Sequence, residues 1–410
     1  YIYGEGWDFG EVAKNARGVN ASQLNLAGTG IGSFNDRLRD AARGGSPFST
    51  ITDQGFLTGL ATDPNAKAPG AANQLTKLLN QTSWIQLGLA GNLKTYELVT
   101  ADGKTVSGAD INYNGSPAGY TQDPQEQVVY VSAHDNETLF DAIQWKAPAS
   151  ASIEERVRMN NLGLSLVALS QGMPFFHAGD DLLRSKSLDG NSYNSGDWFN
   201  RLDFTYQTNN WGVGLPAFDR PVEDMKALLS NPDLKASPAD IAFSRDYFRE
   251  LLQIRKSTVL FRMRTAEDIQ QHLSFLNTGP DQIPGLIVMV LDDTVGADLD
   301  PNVSRIVVAF NANKDSVTFS DASLKGLKLA LHPVQQKSVD ARLASAAFDS
   351  AVGSLVIPGR STVVWVDGNI PAAAQPSVGG NGWIYALGGG VVVFAVVLFL
   401  LLRKKKPAQA

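Results

Sequence analysis

Cysteine is absent from the chain of 410 residues. That excludes disulfides and thiolate metal sites. It suits a protein working outside a reducing cytosol, though it assigns no compartment. Histidine is almost as scarce, with four scattered copies and no paired spacing of the kind zinc requires. Basic charge is in short supply: 35 Lys and Arg stand against 41 Asp and Glu, a formal net charge of −6. A nucleic-acid binder would carry a basic stripe, so no nucleic-acid partner is expected. An EF-hand is excluded as well. The segment DLDPN at 298–302 imitates the opening of a calcium loop, but Val303 stands where Gly is needed and no Glu sits at the twelfth position. An initiating Met and a signal peptide are both missing ahead of Tyr1. Residues 1–4 already read as a short apolar strand, so the chain is expected to be a piece of a longer protein.

What is present permits a large core. Hydrophobic residues make up 43% and charged residues 19%, which argues against global disorder, and the length suits two or three domains. From Trp383 to Leu402 there is no charge at all. At about 1.5 Å per residue these 20 or so residues cover roughly 30 Å, the hydrocarbon thickness of a bilayer. Arg403, Lys404, Lys405 and Lys406 follow at once, as on the cytoplasmic side of a last span. The expectation is a single transmembrane helix at 383–402, with a basic cytoplasmic tail at 403–410 and everything before residue 380 outside the cytoplasm. The Pro-, Ala- and Gly-rich stretch 369–382 reads as a flexible linker.

Residues 1–263 mix helix and strand signals. Ser152 with Glu155 forms a capping box opening a helix, and Met173 to Phe176 reads as a short buried strand. A second helix is expected from about Ser244 to Lys256, with Tyr247, Phe248, Leu251, Leu252 and Ile254 on one face. Such alternation suggests a parallel sheet, open or closed into a barrel. Residues 264–368 change character: apolar runs at 286–291, 305–310, 327–331, 355–357 and 362–366 are separated by turn residues. They predict an antiparallel β-sandwich.

Three stretches carry residues suited to chemistry. In YGEGWDFGEV, Glu5 follows a strand-like run beside Trp7. A carboxyl at the C-terminal end of a strand is where α/β barrels place catalysis, and a neighbouring indole can raise its pKa towards that of a general acid. A structural Glu in a Gly-rich turn fits the same residues. In VVYVSAHDNETLFD an apolar strand ends in His134, Asp135 and Asn136. These can bind sugar hydroxyls, or Asp135 or Asn136 can cap a helix. The long Ser-, Asn-, Asp- and Gly-rich loop at 187–200, with Tyr193, Trp198 and Phe199, resembles a carbohydrate-binding wall, since loops this long inside a compact domain are usually functional.

Taken together, YGEGWDFGEVA, NASQLNLAGTGIGSFNDRLRDA, YVSAHDNETLFDA, LSQGMPFFHAG, LLRSKS and SYNSGDWFNRLDFTYQTNNWGVGLP resemble the pullulanase and limit-dextrinase branch of the α-amylase superfamily, glycoside hydrolase family 13. The similarity spans roughly residues 1–366. It implies an α/β fold: the C-terminal half of a (β/α)8 TIM barrel at 1–263, followed by the antiparallel β-sandwich at 264–368 and the transmembrane helix. It implies retaining hydrolysis of α-1,6 branch linkages in pullulan, limit dextrins, amylopectin or glycogen, with an α-glucan as the partner. Glu5 matches the general acid/base and Asp135 the transition-state stabiliser. Trp7, His134, Asn136, Arg184, Asp197 and Trp198 are the candidate substrate-binding residues. The Asp nucleophile of the family is expected some 30 residues before Glu5, outside this chain. No cofactor is implied apart from a structural calcium ion, which stays open. Two departures stand out. Gly190 and Asn191 occupy a stretch where relatives often carry Arg-Asp, and Asp181 replaces a common Glu. A glucan-binding surface protein without catalysis and an α-1,4-acting amylase relative are the competing expectations.

Overall fold

The computed structural model describes residues 1–66, 71–217 and 220–370. In the first part, β1 (Tyr3–Gly4) leads through α1 (Gln23–Leu26) to β2 (Gly32–Phe34) and α2 (Asp36–Arg43), then α3 (Ala71–Leu89). Two small hairpins follow, β3 (Glu97–Val99) with β4 (Thr105–Ser107) and β5 (Asn112–Tyr113) with β6 (Ser116–Pro117). Next come β7 (Gln127–Val129), α4 (Leu139–Lys146), α5 (Ile153–Ala168), β8 (Met173–Pro174), α6 (Val222–Leu229), α7 (Pro238–Ser257) and α8 (Ala266–His272). Strands β1, β2, β7 and β8 pair in that order, all parallel.

Local rules account for the helix starts. Asn35 accepts from the Leu38 amide and begins α2 directly after β2. Ser152 caps α5 through the Glu155 amide, as the capping box predicts. The Glu155 carboxylate does not turn back, however; it pairs with Arg342 and Arg360. Helix α7 starts six residues before the expected Ser244. Ser237 and Asp240 form a capping box there and Pro238 holds the first helical position. On its face Tyr247, Leu251 and Ile254 are buried, while Leu252 is exposed.

The last part is antiparallel. Strand β9 (Leu273–Phe275) pairs with β10 (Leu286–Asp292), which pairs with β11 (Val303–Asn311). The chain continues through β12 (Val317–Ser320), β13 (Ala330–Leu331), β14 (Ala347–Asp349), β15 (Ser354–Ile357) and β16 (Ser361–Gly368). Two sheets result, in the orders β13-β16-β11-β10-β9 and β12-β15-β14. Because side chains alternate along a strand, β10 serves two cores. Leu286, Val288 and Val290 pack with Phe319, Leu355 and Trp365. Ile287, Met289 and Leu291 pack with Met159 and Leu162 of α5 and Tyr247 and Leu251 of α7.

The fold class expected from the sequence is corrected on two counts. Most strand residues lie in these antiparallel sheets, whereas the parallel sheet is open at both edges and its strands are two or three residues long. The expected buried strand at 173–176 shrinks to two residues, with Met173 exposed, because Pro174 cannot donate to a ladder. The single transmembrane helix is also withdrawn: among the described residues no helix is long and apolar enough to cross a membrane. The stretch 383–402 on which that expectation rested, the basic tail and nearly all of the 369–382 linker lie outside the described residues.

Candidate active site

The four parallel strands deliver their following residues to one end of the sheet. Glu5 leaves β1, Asn35 and Asp36 leave β2, Tyr130 to Asn136 leave β7, and Phe175 to His177 leave β8. Phe34 lies at the centre of an aromatic layer beneath this end, with Tyr3, Tyr130 and Phe175 edge-on at 5.9, 4.8 and 5.1 Å.

Glu5 is exposed. Gly6 then turns at φ +74°, where a Cβ would lie 2.8 Å from that of Ser33. Only glycine fits so close to β2 at that angle, and the turn holds Glu5 and Trp7 in place; the Gly6 carbonyl accepts from the Gln23 amide at 2.9 Å. Arg39 stands 5.9 Å over the Trp7 ring and 5.4 Å over Tyr130. Its guanidinium donates to the Tyr130 hydroxyl and to Asp40. Asp8, by contrast, is tied locally to the Lys14 amide and Asn20.

Beyond β7 the helix-cap alternative can be tested directly. Thr138, not Asp135 or Asn136, caps α4 through the Asp141 amide. His134 and Asp135 are exposed, and Asn136 is half-buried at φ +59°. No hydrogen bond among the described residues engages their side chains, so they remain available to a ligand.

The segment after β8 is held from below. Arg184 donates to His177 Nε2 at 3.0 Å and to the Ala178 and Asn200 carbonyls, so it links the 177–184 turn to the loop bearing Asp197 and Trp198. Burial, with Arg184 nearby, pushes His177 down to about 3, so the ring is neutral and can accept that bond. Burial pushes Asp180 up to about 7 while Ser132 donates to its carboxylate at 2.8 Å. Asp141, pushed up to about 6 by burial, receives Ser185 Oγ at 2.6 Å and the Lys186 amide at 2.7 Å. Lys186 Nζ reaches the His134 carbonyl at 3.3 Å. Leu183, Ser187 and Leu188 all adopt left-handed φ between 54° and 68°, a conformation costly to side-chain-bearing residues and concentrated at functional sites. Trp198 is 59% exposed and Tyr193 85%. Phe199 is buried beside Trp198 at 5.8 Å, and Asn210 fixes the Trp198 carbonyl at 2.7 Å.

Glu5, Trp7, His134, Asp135 and Asn136 therefore share the strand-end face with Arg39 and Tyr130. Arg184, Asp197 and Trp198 belong to the loop docked through His177. Sequence reasoning did not single out Arg39, Tyr130, Asp141, Asp180 or Lys186. The signal for Arg39, Tyr130, Asp141 and Lys186 was membership in the longer motifs, while Asp180 falls between two of them. Two other carboxylates are engaged or set apart: Asp36 by Arg37, Gln23 and Tyr113, and Asp181, half-buried with its pKa raised by that burial. Among the described residues no group of three or more His, Asp or Glu could hold a metal ion.

Comparison with known proteins places this geometry. The family described as "Alpha-1,6-glucosidases, pullulanase-type, C-terminal" matches residues 206–368. Pullulanase 1, chloroplastic, of Arabidopsis thaliana is 50% identical over 377 residues, 90% of this chain and 39% of that protein. Pullulanase of Klebsiella pneumoniae is 40% identical over 372 residues, 89% of this chain and 33% of that protein. The crystal structure of Klebsiella pneumoniae pullulanase complexed with maltotriose superposes with a TM-score of 0.83 at 39% identity, covering 90% of this chain and 35% of that one. The chain thus spans 33–39% of the length of these two curated relatives. The expected single-pass location in the cell membrane, with residues 383–402 as a membrane partner, is corrected. No described helix is long and apolar enough for a span, and the Arabidopsis relative is named as chloroplastic. By sequence and by structure alike, this chain is similar to part of the pullulanase-type proteins, with residues 206–368 matching their C-terminal family.

Proposed function

We propose that the chain carries the acid/base and charge-stabilising groups of a retaining hydrolase that cleaves α-1,6 branch linkages in pullulan, limit dextrins, amylopectin or glycogen. The observation behind this reading is the placement of Glu5 and Asp135. Each follows the C-terminal end of a parallel strand, β1 and β7, with only β2 between them, and no hydrogen bond from the described residues engages either carboxylate. In this reading residues 1–263 form the catalytic region and 264–368 its β region.

Glu5 donates a proton to the leaving glycosidic oxygen and later takes one from water. Asp135 and His134 grip sugar hydroxyls, and the Asp135 carboxylate opposes the positive charge that develops on the ring. Trp7, steadied by Arg39, and Trp198 present ring faces to the sugar, while Asn136, Arg184 and Asp197 offer polar contacts. Retaining chemistry also needs a second carboxyl about 5–5.5 Å from the acid. Asp36 is held by Arg37, Gln23 and Tyr113 and Asp181 lies half-buried beyond β8, so the nucleophile is proposed to lie outside the described residues. The solved pullulanase complexed with maltotriose supports an α-glucan ligand.

The test is hydrolysis of pullulan and of linear amylose by the natural polypeptide that contains these residues, with and without Glu5→Gln. Cleavage of pullulan that collapses in the variant is expected. Activity on amylose alone, or an undiminished variant, overturns the assignment. Glucan binding with no hydrolysis by either form would favour the binding-protein alternative.

A further inference from the structure

A second groove lies away from the strand-end residues. It encloses about 1080 Å³, at the top of the roughly 300–1,000 Å³ range of small-ligand sites, and so has room for several sugar units. One wall is a face of α3. Asn73, Lys77, Asn80 and Trp84 recur at helical spacing along it, with Gln81 beside them. The opposite wall comes from the turn between β3 and β4 and from residues 110–114.

Three features indicate what fits. Trp84 is held as a fixed plate: its indole N–H donates to the Asn112 carbonyl at 3.1 Å, and Tyr113 packs edge-on at 4.9 Å. Gln81 is only 3% exposed, yet among the described residues its Oε1 finds no hydrogen-bond partner. A buried acceptor left unpaired costs about 1–3 kcal/mol, and a ligand hydroxyl in the groove can repay it. Charge is balanced or already paired: Lys104 bonds Asp102 at 2.6 Å, Ser107 donates to Asp110 at 2.6 Å, and Asp40 is held by Arg39. Lys77, the other lysine of the groove, stands 3.9 Å from Asp53, so each lysine here has a carboxylate beside it, and the amides, hydroxyls and one indole suit a neutral polyhydroxylated chain. Gly45, Ser46 and Ser49 line this groove and also a smaller cavity bordered by Asn136, so it continues towards the strand-end site.

We propose that this groove is a second α-glucan-binding site, with Trp84 stacking on a sugar ring and Gln81 and Asn80 taking hydroxyls. The assignment to α-glucan rests on the function proposed above. The site holds the polymer and takes no part in the chemistry.

The experiment is hydrogen–deuterium exchange of the full chain with maltoheptaose, with cellohexaose as the control. Maltoheptaose is expected to protect 73–84 and 100–114 as well as 130–136. Trp84→Ala should weaken the protection of the first two segments by about tenfold in ligand concentration, the scale of one lost stacking contact, and leave 130–136 unchanged. Asn80→Ala, at an exposed position, should act in the same direction without risk to the fold. Protection confined to 130–136, or unchanged in both variants, overturns the second site while the proposed function stands. Protection confined to the groove overturns the strand-end site instead. Equal protection by cellohexaose refutes the α-glucan assignment.

Discussion

Strand β1, at the edge of the parallel sheet, and strand β10, inside the antiparallel sheet, are treated in opposite ways. In β10 six consecutive residues, Leu286 to Leu291, are buried, and alternate side chains feed two different cores. In β1 both residues are exposed, and Ile2 just before it is 71% exposed. Where burial is complete, every side chain is committed to packing. Beyond the ends of the exposed β1 and the buried β7, Glu5 and Asp135 keep carboxylates that no hydrogen bond among the described residues engages. Stability rests on the buried strands, and the candidate chemistry on exposed residues that follow strand ends.

That division can be broken or sharpened by substitution. The largest effect is expected at the open end. In the natural polypeptide, Glu5→Gln or Asp135→Asn should lower kcat by about 10²–10⁴-fold, the usual share of a positioned proton donor, with the melting temperature unchanged. Asp8→Asn should be mild. A coupled loss of folding would erase the distinction between the two regions.

In the buried sheet the order reverses. Phe310→Ala removes a fully buried ring and should cost about 3–5 kcal/mol of unfolding free energy in urea titration. Ile2→Ala should change it by no more than about 0.5 kcal/mol. A comparable cost, about 3–5 kcal/mol, is expected for Arg360→Ala, because the buried Arg360 pairs with Glu155 and with Asp63 at 2.6 Å. An isolated 264–368 fragment should lack cooperative melting, since Ile287, Met289 and Leu291 would lose the helices that cover them.

Another effect concerns pH. Lys146 donates to the Gly44 and Asp53 carbonyls, and burial, with Arg43 adding repulsion, lowers its pKa from 10.5 to about 7. Between those values the unfolded chain binds the proton and the folded chain sheds it, so stability should rise with pH. The slope can reach about 1.4 kcal/mol per pH unit, and Lys146→Met should flatten it. A slope unchanged in the variant would place the titration elsewhere.

The sequence shows the long apolar runs at 286–291 and 305–310 because nothing in them interrupts the pattern. Strands β9, β12 and β14 escape notice: three or four residues such as Ala-Phe-Asp at 347–349 carry no period of their own, and only their partners make them strands. The expected site residues stand out because polar groups end an apolar run. Arg39, Asp141 and Asp180 do not, since they come from helical turns, and only the assembled sheet shows that they face its end.

The double-faced strands also set a timetable for synthesis. The apolar face of α5, with Met159 and Leu162, closes against Val364 and Val366 of β16, and Glu155 waits for Arg360. Those partners emerge from the ribosome some two hundred residues later. At about 5–20 residues per second the delay is roughly 10–40 s, during which the face of the helix turned to β16 lacks its native cover. Nascent chains halted before residue 361 should therefore be the ones that chaperones hold longest.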